Sequence, residues 1–329
     1  MIMKAILLTN PCSAEEMRVS EIPIPEVKPG WVLVKIHAAG LNHSEALLRM
    51  FEIENDYIQK PIVPGIECVG VVADATEESR FAEGDWVIAM MGGMGRSFNG
   101  SYAEYALLPE QNVFWVNTTG RAVPWDWLSL AAVPETYFTA YGSLTECLLL
   151  KEGDTLLVRG ATSTVGQAAI QLGKAMGAQV IAVCRKERDF DRLKAIGADF
   201  CCIEDGNLAE SLPSEMRPNK VLELVGPATL QDSLRCVTRP GYVCNTGILG
   251  NVFTVEHFDP IKYIPNGVFL SGFFSNFPTQ EIIDSLFRLI NEKNIKPLYA
   301  KVFNLEEISE AHTLLEKGGA GGKIVLKIS

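Results

Sequence analysis

Gly160 and Gly166, six residues apart, mark a turn whose residue types suit phosphate binding. Gly160 follows the apolar stretch "TLLVR", and Gly166 opens the amphipathic stretch "QAAIQLGKAM". A strand that turns into a helix presents backbone amides at the helix N-terminus, and glycine lets an anion approach them closely. Ser163 and Thr164 stand where a dinucleotide fingerprint usually has glycine, and they add hydroxyl groups. The stretch "GATSTVG" predicts a pyrophosphate site, with a purely structural turn as the alternative.

Basic residues follow the next apolar stretch, "QVIAVC". Arg185 and Lys186 come directly after it, with Arg188 close by. About 20 residues after the glycine turn, NAD-binding folds often place Asp or Glu for the ribose 2′-hydroxyl, whereas Arg suits a 2′-phosphate. A solvated helix start is the alternative, although a basic residue at a helix N-terminus opposes the helix dipole. The cluster predicts NADPH rather than NADH.

Alternating strands and helices must position this turn. From "DTLLVRG" to about residue 275, apolar strand patterns alternate with helical patterns such as "VGQAAIQLGKAM" and "ATLQDSLRCV". This alternation predicts a parallel, doubly wound sheet with helices on both faces. Ligands of such sheets bind beyond the carboxyl ends of the strands. We therefore expect Val225, Gly226 and the segment from Thr246 to Leu249 to line the cofactor site.

The first third of the chain follows a different pattern. Short stretches such as "WVLVKIHAAG" and "GDWVIAM" are separated by Pro and Gly turns, which predicts a small β-barrel. The late stretches "AKVFNL" and "GKIVLKIS" do not easily extend a parallel sheet, so we expect them to return to the barrel. The predicted domains are residues 1–125, completed by 277–329, and residues 126–276.

Composition limits the classes of function. The chain has 329 residues, of which 47% are hydrophobic, and its net charge is −11, with 29 Lys and Arg against 40 Asp and Glu. An acidic chain lacks the positive field that nucleic acids or anionic membranes attract, so we expect neither as a partner. No apolar run reaches the roughly 18 residues of a membrane span, and no signal peptide is recognisable, which predicts a cytoplasmic protein. The eight cysteines form no CxxC pair, which favours buried free thiols.

Several longer stretches occur in a fixed order along nearly the whole chain: "AAGLNHSEALLR", "VPGIECVGVV", "GSYAEYALLP", "AAVPETYFTAY", "GATSTVGQAAIQL" and "GGAGGKIVL". Through them the chain resembles the medium-chain dehydrogenase/reductase superfamily, and within it the zinc-independent, zeta-crystallin-like quinone oxidoreductase branch. The resemblance implies an α/β fold with a GroES-like β-barrel catalytic domain and a doubly wound, parallel-sheet Rossmann domain. It also implies a homodimer that pairs through the stretch "NGVFLSGFF".

The zinc positions of this superfamily are altered. Zinc alcohol dehydrogenases carry a Cys before a His-Ser pair and, later, a His-Glu pair. Here these places read "GLNHSE" and "PGIECVG", with Asn42 in place of the Cys and Ile66 in place of the His. His43 and Glu67 alone cannot form a tetrahedral site, and "MMGGMGRSFNGSY" lacks the four cysteines of a structural zinc lobe. We predict no bound metal.

The resemblance also implies the residues at the reacting centre. Asn42 matches a family Asn that donates a hydrogen bond near the nicotinamide ribose or the substrate oxygen. Tyr57 matches a family tyrosine that reaches the cofactor or substrate, with an ordinary loop tyrosine as the alternative. Together with the residues at the strand ends, the predicted cofactor-binding set is Thr139, Ala161, Thr162, Ser163, Thr164, Val165, Gly166, Cys184, Arg185, Lys186, Val225, Gly226, Thr246, Gly247, Ile248, Leu249, Phe273 and Phe274.

The loss of zinc ligands bears on the substrate. Without a Lewis acid, a simple ketone is difficult to polarise for hydride transfer. Quinones and α,β-unsaturated carbonyls need less help, because their product anions are delocalised. We therefore expect an NADPH-dependent reductase of quinones or enones. The alternatives are an enoyl-thioester reductase and a non-catalytic, crystallin-like protein that binds the cofactor.

Overall fold

The computed structural model describes residues 1–116 and 125–329. Residues 117–124, near the end of the predicted domain 1–125, lie outside the described residues. The chain forms two compact units. The N-terminal unit comprises Met1–Glu135, Asn276–Phe287 and Lys296–Ser329, and the central unit comprises Thr136–Ser275 and Arg288–Ile295.

The strands of the described residues alternate with helices through most of the chain. The strands are β1 (Ile2–Ile6), β2 (Val19–Pro23), β3 (Trp31–Gly40), β4 (Glu67–Ala75), β5 (Trp86–Met90), β6 (Tyr105–Pro109), β7 (Val113–Trp115), β8 (Thr155–Arg159), β9 (Gln179–Cys184), β10 (Phe200–Ile203), β11 (Lys220–Glu223), β12 (Gly241–Asn245), β13 (Val268–Gly272), β14 (Tyr299–Asn304) and β15 (Lys323–Lys327). The α-helices are α1 (His43–Met50), α2 (Trp127–Ala131), α3 (Pro134–Gly142), α4 (Thr164–Ala175), α5 (Phe190–Ala195), α6 (Leu208–Ser211), α7 (Pro227–Cys236), α8 (Pro260–Tyr263), α9 (Gln280–Glu292) and α10 (Ile308–Lys317).

The N-terminal unit is built on a mainly antiparallel sheet with the strand order β14-β15-β3-β4-β5-β7, while β6 also pairs with β3. The last strand, β15, pairs antiparallel with the end of β3, so that Val325 lies opposite Gly40. The late strands β14 and β15 therefore belong to the sheet of this unit. Two buried apolar clusters support the unit, one around Ile6 and Leu326 and the other around Val34 and Val87.

The central unit contains six parallel strands in the order β10-β9-β8-β11-β12-β13. Numbered from β8, this is the order 3-2-1-4-5-6 of a doubly wound dinucleotide-binding sheet. Its inner strands β8 and β11 are almost entirely buried because helices cover a parallel sheet on both sides. The predicted α/β fold with a doubly wound parallel sheet is confirmed.

The helical pattern predicted in "DWLSLAAVPETYFTAYGSLTE" is divided in the structure. Asp126 caps α2 by accepting hydrogen bonds from the amides of Leu128 and Ser129. Pro134 begins α3 because a proline lacks the amide that a helix interior requires but is tolerated in the first turn. A π-helical turn, Ser143–Cys147, then follows α3 directly.

No helix in residues 1–116 or 125–329 has both the length and the apolar character that crossing a membrane requires.

Candidate active site

In the N-terminal unit, Asn42 lies at the junction between β3 and α1. Its extended backbone, with φ −126° and ψ 154°, makes it the residue that precedes the first helical turn. Asn is favoured at this position because its side-chain oxygen can accept a hydrogen bond from an unpaired amide of the first helical turn. Glu45 fixes the junction, since its Oε2 accepts a 2.6 Å hydrogen bond from the Asn42 amide. The Asn42 side chain is consequently held beside the start of β4.

Asn42 is part of a three-residue polar network. Its Nδ2 donates to Glu67 Oε1 at 2.8 Å, and its Oδ1 accepts from Lys323 Nζ at 2.5 Å. Lys323 Nζ also lies 2.6 Å from Glu67 Oε1. The second oxygen of Glu67 accepts the backbone amide of Glu135 at 2.7 Å. The Asn42 amide, the Glu67 carboxylate and the Lys323 ammonium group thus satisfy one another's hydrogen-bonding groups. Asn42 directly precedes α1, and Glu67 and Lys323 are the first residues of β4 and β15.

The network is removed from solvent. The side chains of Glu67 and Lys323 are 0% and 1% exposed. A buried ion pair persists only where the geometry is good and further hydrogen bonds satisfy the remaining donors and acceptors. Asn42 and the Glu135 amide supply such bonds here. We refer to Asn42, Glu67 and Lys323 as the ammonium network.

Gly40 provides the space for this network. A Cβ atom at Gly40 would lie 2.5 Å from Glu67 Oε1, 2.5 Å from Lys323 Cε and 2.9 Å from the carbonyl oxygen of Ala131. The ion pair could not move aside without losing its hydrogen bonds. The absence of a side chain at the end of β3 therefore permits the pair to form.

We expect Gly40→Ala to lower the free energy of unfolding by about 1–3 kcal/mol, the usual cost of overpacking a close-packed site. Chemical denaturation of the variant and the wild type measures this difference. Gly272→Ala is the matched control, since a Cβ there would meet only the Asn245 carbonyl oxygen, at 3.5 Å. Equal destabilisation of both variants would show that the space at Gly40 is not required.

Glu45 is a second buried carboxyl group beside the network. Burial, opposed by the charge of Lys323, raises the pKa of Glu45 to about 7. Its Oε1 accepts the Ile66 amide at 3.1 Å, and its Oε2 accepts the Asn42 amide. Glu45 therefore fastens together the two segments that carry the altered zinc positions.

The chemistry of these positions opposes a divalent metal. Asn42 offers an amide that is already bonded on both sides, and Ile66, which is 6% exposed, offers a hydrocarbon. His43 is exposed in the first turn of α1, and Glu67 is neutralised by the Lys323 ammonium. In the described ranges, 1–116 and 125–329, no three His, Cys, Asp or Glu side chains are grouped so as to hold a metal ion.

Tyr57 does not join the ammonium network. It lies in a turn after α1 with 60% of its surface exposed. Its predicted role toward the cofactor or substrate stays a prediction.

In the central unit, the glycine turn joins β8 to α4. Gly160 has φ +85°, a left-handed conformation that glycine adopts without strain. A Cβ at Gly166 would lie 2.5 Å from the Gly160 carbonyl oxygen, so a glycine is required for this close packing of the helix on the turn. The amides of Thr164 and Val165, in the first turn of α4, have no acceptor within the helix. This arrangement fits the pyrophosphate of a dinucleotide.

The Ser163 side chain has a structural part in the glycine turn. Its Oγ donates to the Gly160 carbonyl at 2.8 Å and accepts the Gly166 amide at 3.1 Å. The hydroxyl therefore caps α4 and fixes the turn. The predicted contact of Ser163 and Thr164 with the cofactor stays a prediction.

The basic residues after β9 are exposed. Cys184 is the buried last residue of that strand, and the chain emerges into solvent from Arg185 through Arg188. The Lys186 carbonyl accepts a hydrogen bond from the Cys184 thiol at 3.4 Å, which holds the first residues of the segment near the strand. Arg185 and Lys186 are thus presented beyond the carboxyl end of β9.

Other predicted cofactor-binding residues gather at the carboxyl ends of β11 and β12. Glu223 Oε1 accepts the amides of Val225 at 2.7 Å and Gly226 at 3.0 Å, which fixes the turn after β11. A Cβ on Gly160 would lie 3.1 Å from Leu249 Cδ1, so the segment after β12 approaches the glycine turn. The Thr246 hydroxyl lies 2.9 Å from Ser143 Oγ, which in turn donates to the carbonyl of the predicted residue Thr139 at 2.7 Å.

The two phenylalanines after β13 differ in their environment. Phe273 packs edge-on against Phe138, with ring centroids 5.7 Å apart, and covers Gly142. Phe274 is 71% exposed. Phe273 is therefore fixed within the central unit, while Phe274 offers a large apolar surface.

Sequence reasoning missed the buried charged residues that support the predicted site residues within each unit. Lys323 and Glu45 support Asn42, and in the central unit the fully buried Arg159 pairs with Glu204 at 2.6 Å and Asp232 at 2.8 Å. For Lys323 and Arg159 a signal existed. A Lys or Arg that interrupts an apolar strand pattern, as in "GKIVL" and "TLLVRG", must find a buried partner.

Two family models match this chain. The alcohol dehydrogenase GroES-like domain matches residues 28–118, and the zinc-binding dehydrogenase domain matches residues 196–326. Both descriptions belong to one superfamily of oxidoreductases, and the matches lie in the order expected for it.

Known proteins and solved structures align with this chain over nearly its full length. Human quinone oxidoreductase is 27% identical, with 93% of this chain and 92% of that protein aligned. A quinone oxidoreductase structure from Coxiella burnetii has a TM-score of 0.83 and 27% identity, covering 100% of both chains. A structure described as an NAD-dependent alcohol dehydrogenase has a TM-score of 0.86 and 26% identity, covering 99% of this chain and 100% of the other.

Proposed function

Because the chain belongs to the medium-chain dehydrogenase/reductase superfamily and is an oxidoreductase, we propose that it reduces quinones or α,β-unsaturated carbonyls with NADPH and without zinc. The observation that carries this proposal is the ammonium network. Lys323 places a buried positive charge against the carboxylate next to the altered zinc positions. A divalent cation at this point would have to displace the ammonium group and would find no thiolate or imidazole in its place.

The ammonium network prepares Asn42 as a hydrogen-bond donor. Lys323 bonds to the carbonyl oxygen of the Asn42 amide and draws electron density from its nitrogen. An amide nitrogen carries two hydrogens, and the bond to Glu67 uses one of them. We propose that the second hydrogen donates to the substrate oxygen or to the nicotinamide ribose. Asn42 is the catalytic residue of this proposal, and Lys323 and Glu67 are positioning residues.

One neutral donor suits some substrates better than others. Bound NADPH supplies a hydride equivalent, and the protein's part is to orient the electrophile and stabilise the developing charge. An enone or quinone spreads that charge over several atoms, so a single amide donor suffices. A saturated ketone concentrates it on one oxygen, which calls for a metal or a strong acid. Tyr57, which is exposed to solvent, remains our second candidate for contact with the substrate or cofactor.

The central unit fits the cofactor. The left-handed Gly160, the close approach of Gly166 and the amides at the start of α4 suit a pyrophosphate. Beyond the neighbouring strand, Arg185 and Lys186 suit the 2′-phosphate, which distinguishes NADPH from NADH. Both are exposed, so a phosphate group can reach them without rearrangement of the strand.

We expect Arg185→Asp to weaken NADPH binding by at least about tenfold, since a charge-assisted hydrogen bond to phosphate contributes about 1.5–3 kcal/mol. NADH binding should change little or improve, because a carboxylate accepts hydrogen bonds from the ribose hydroxyls. Calorimetric titration of both cofactors measures the two dissociation constants. The matched control is Lys194→Asp, which makes the same charge change on the exposed surface of α5. Equal affinity of the wild type for NADPH and NADH would contradict the assignment.

We also propose that the protein is a cytoplasmic homodimer. The edge strand β13 carries Phe269, which is 53% exposed, and its outer backbone groups are suited to strand pairing. Light scattering coupled to size-exclusion chromatography gives the mass in solution, and a monomer mass would contradict this assembly.

A further inference from the structure

A chain of polar groups links the end of α3 to the end of β12 within the central unit. The Ser143 hydroxyl donates a 2.7 Å hydrogen bond to the Thr139 carbonyl, four residues back in the helix. It also lies 2.9 Å from the Thr246 hydroxyl, which in turn lies 3.3 Å from the Cys244 sulfur. Ser143 is fully buried and begins the π-helical turn, a feature that occurs frequently at functional sites. The turn therefore ties two predicted cofactor-binding residues, Thr139 and Thr246, to each other.

The hydrogens of this chain have a fixed direction when all three bonds form. A carbonyl oxygen only accepts, so the single hydrogen of the Ser143 hydroxyl is used on Thr139. The Thr246 hydroxyl must then donate to Ser143, and the Cys244 thiol must donate to Thr246. A hydroxyl oxygen has two lone pairs, and the thiol occupies one of them. Thr246 therefore faces a bound ligand as a hydrogen-bond acceptor.

The sheet order determines which half of the cofactor would meet Thr246, a step that rests on the proposed function. The glycine turn after β8 would hold the pyrophosphate, and Arg185 after β9 would hold the 2′-phosphate of the adenosine half. The nicotinamide half must then extend to the other side of β8, over β11 and β12. Strands are spaced about 4.8 Å apart, so the end of β12 lies about 10 Å from the glycine turn. The ribose would lie between them, which places the nicotinamide carboxamide near the partly exposed Thr246.

The end of α3 also contacts the segment after β13. A Cβ atom at Gly142 would overlap the Phe273 ring, so the phenylalanine packs directly on the helix backbone there. Gly142 and Ser143 are neighbours, and they hold the segments after β13 and β12 respectively. Loss of the Ser143 hydroxyl would remove one of these two attachments and leave the other in place.

We propose that Ser143 is a positioning residue that makes Thr246 an acceptor for the amide N–H of the nicotinamide carboxamide. A carboxamide presents an oxygen on one side and an NH2 group on the other. A free hydroxyl suits both sides, because it can donate or accept. Thr246 uses its hydrogen on Ser143, so it suits the NH2 side alone. Ser143 thereby selects the orientation of the carboxamide without touching the cofactor.

Cofactor analogues test this selection through binding alone. In the 3-acetylpyridine analogue of NADPH a methyl group replaces the NH2 group, so the bond to Thr246 cannot form. Calorimetric titration of wild-type protein should show tighter binding of NADPH than of the analogue by about two- to tenfold, the contribution of one neutral hydrogen bond. Thr246→Val should remove this preference because valine offers no acceptor. Ser143→Ala should also remove it, because the freed Thr246 hydrogen can then donate to the acetyl oxygen.

Thr145→Ala is the matched control. Thr145 Oγ1 donates to the Tyr141 carbonyl at 2.8 Å, so this variant loses the same kind of helix hydrogen bond in the same π-helical turn. Its preference for NADPH over the analogue should equal that of the wild type. Thr246→Val keeps Ser143 in place, so it tests the acceptor role independently of how well Ser143→Ala folds.

The same titrations separate this inference from the proposed function. Wild-type protein that binds neither NADPH nor the analogue would refute the proposed function and the inference with it. Wild-type protein that binds NADPH, with the same preference in Ser143→Ala or in Thr246→Val, would overturn the inference alone. An equal loss of preference in Thr145→Ala would also overturn it, since the effect would then belong to the helix and not to Thr246.

Discussion

Lys323→Met should lower kcat/KM for an enone by about a hundredfold, the lower range measured when one preorganised donor is removed from an anion-stabilising site. Methionine keeps the length of the side chain but removes the charge that polarises Asn42. The loss should fall mainly on kcat, because the interaction strengthens as negative charge develops on the substrate. NADPH affinity should change little, since the predicted phosphate-binding residues lie in the central unit.

Controls must separate this effect from loss of the fold. Removing one partner of a buried ion pair costs about 3–5 kcal/mol, because the remaining charge is left uncompensated. The double variant Lys323→Met with Glu67→Gln removes both charges and should recover most of that stability without recovering turnover. Lys323→Arg should retain part of the turnover because it keeps the charge. Lys327→Met makes the same change at the exposed end of β15 and should have no effect.

Wild-type turnover by the stable double variant would contradict the role of Lys323. So would a loss that appears only in KM, since that pattern indicates substrate binding rather than stabilisation of developing charge.

The central sheet could be predicted from the sequence because its signals are local. Each strand is a short apolar run, each helix has its own periodicity, and Gly160 and Gly166 mark the turn that joins them. The return of β15 to the first domain followed from the same kind of reasoning, since its position after two late helices did not suit the parallel sheet.

The ammonium network could not be predicted in this way, because its members meet only through the pairing of β15 with β3 and of β3 with β4. The sequence indicates which zinc ligands are missing but not that Lys323 lies beside Glu67. Nor does the sequence indicate that the Ser163 hydroxyl caps α4. The Ser163 hydroxyl has a carbonyl and an amide within three residues to bond with. Which of these hydrogen bonds form depends on the conformation of the turn, which residue types alone do not specify.

The second large effect concerns the choice of substrate. With NADPH, we expect kcat/KM for 1,2-naphthoquinone or a simple enone to exceed that for a saturated ketone by at least about a thousandfold, equivalent to about 4 kcal/mol of transition-state stabilisation. The physical reason is that Asn42 offers one neutral donor, supported by Lys323, where a zinc enzyme offers a divalent Lewis acid. Ethanol oxidation should be negligible for the same reason, since the alkoxide it requires is localised on one oxygen.

A crotonyl thioester belongs in the same substrate panel. Preference for the thioester over quinones and free enones would favour an enoyl-thioester reductase, and NADPH binding without turnover of any electrophile would favour a non-catalytic protein. Steady-state kinetics over the panel distinguishes these outcomes from the one that we propose.

The most direct test of a reductase that works without zinc joins kinetics to metal analysis on one preparation. Purified protein is treated with a strong chelator, its zinc content is determined by mass spectrometry, and enone reduction by NADPH is measured before and after treatment. We predict less than about a tenth of an equivalent of zinc per chain and unchanged enone turnover, because the Lys323 ammonium already neutralises Glu67. One tightly bound equivalent of zinc whose removal abolishes turnover would contradict the account.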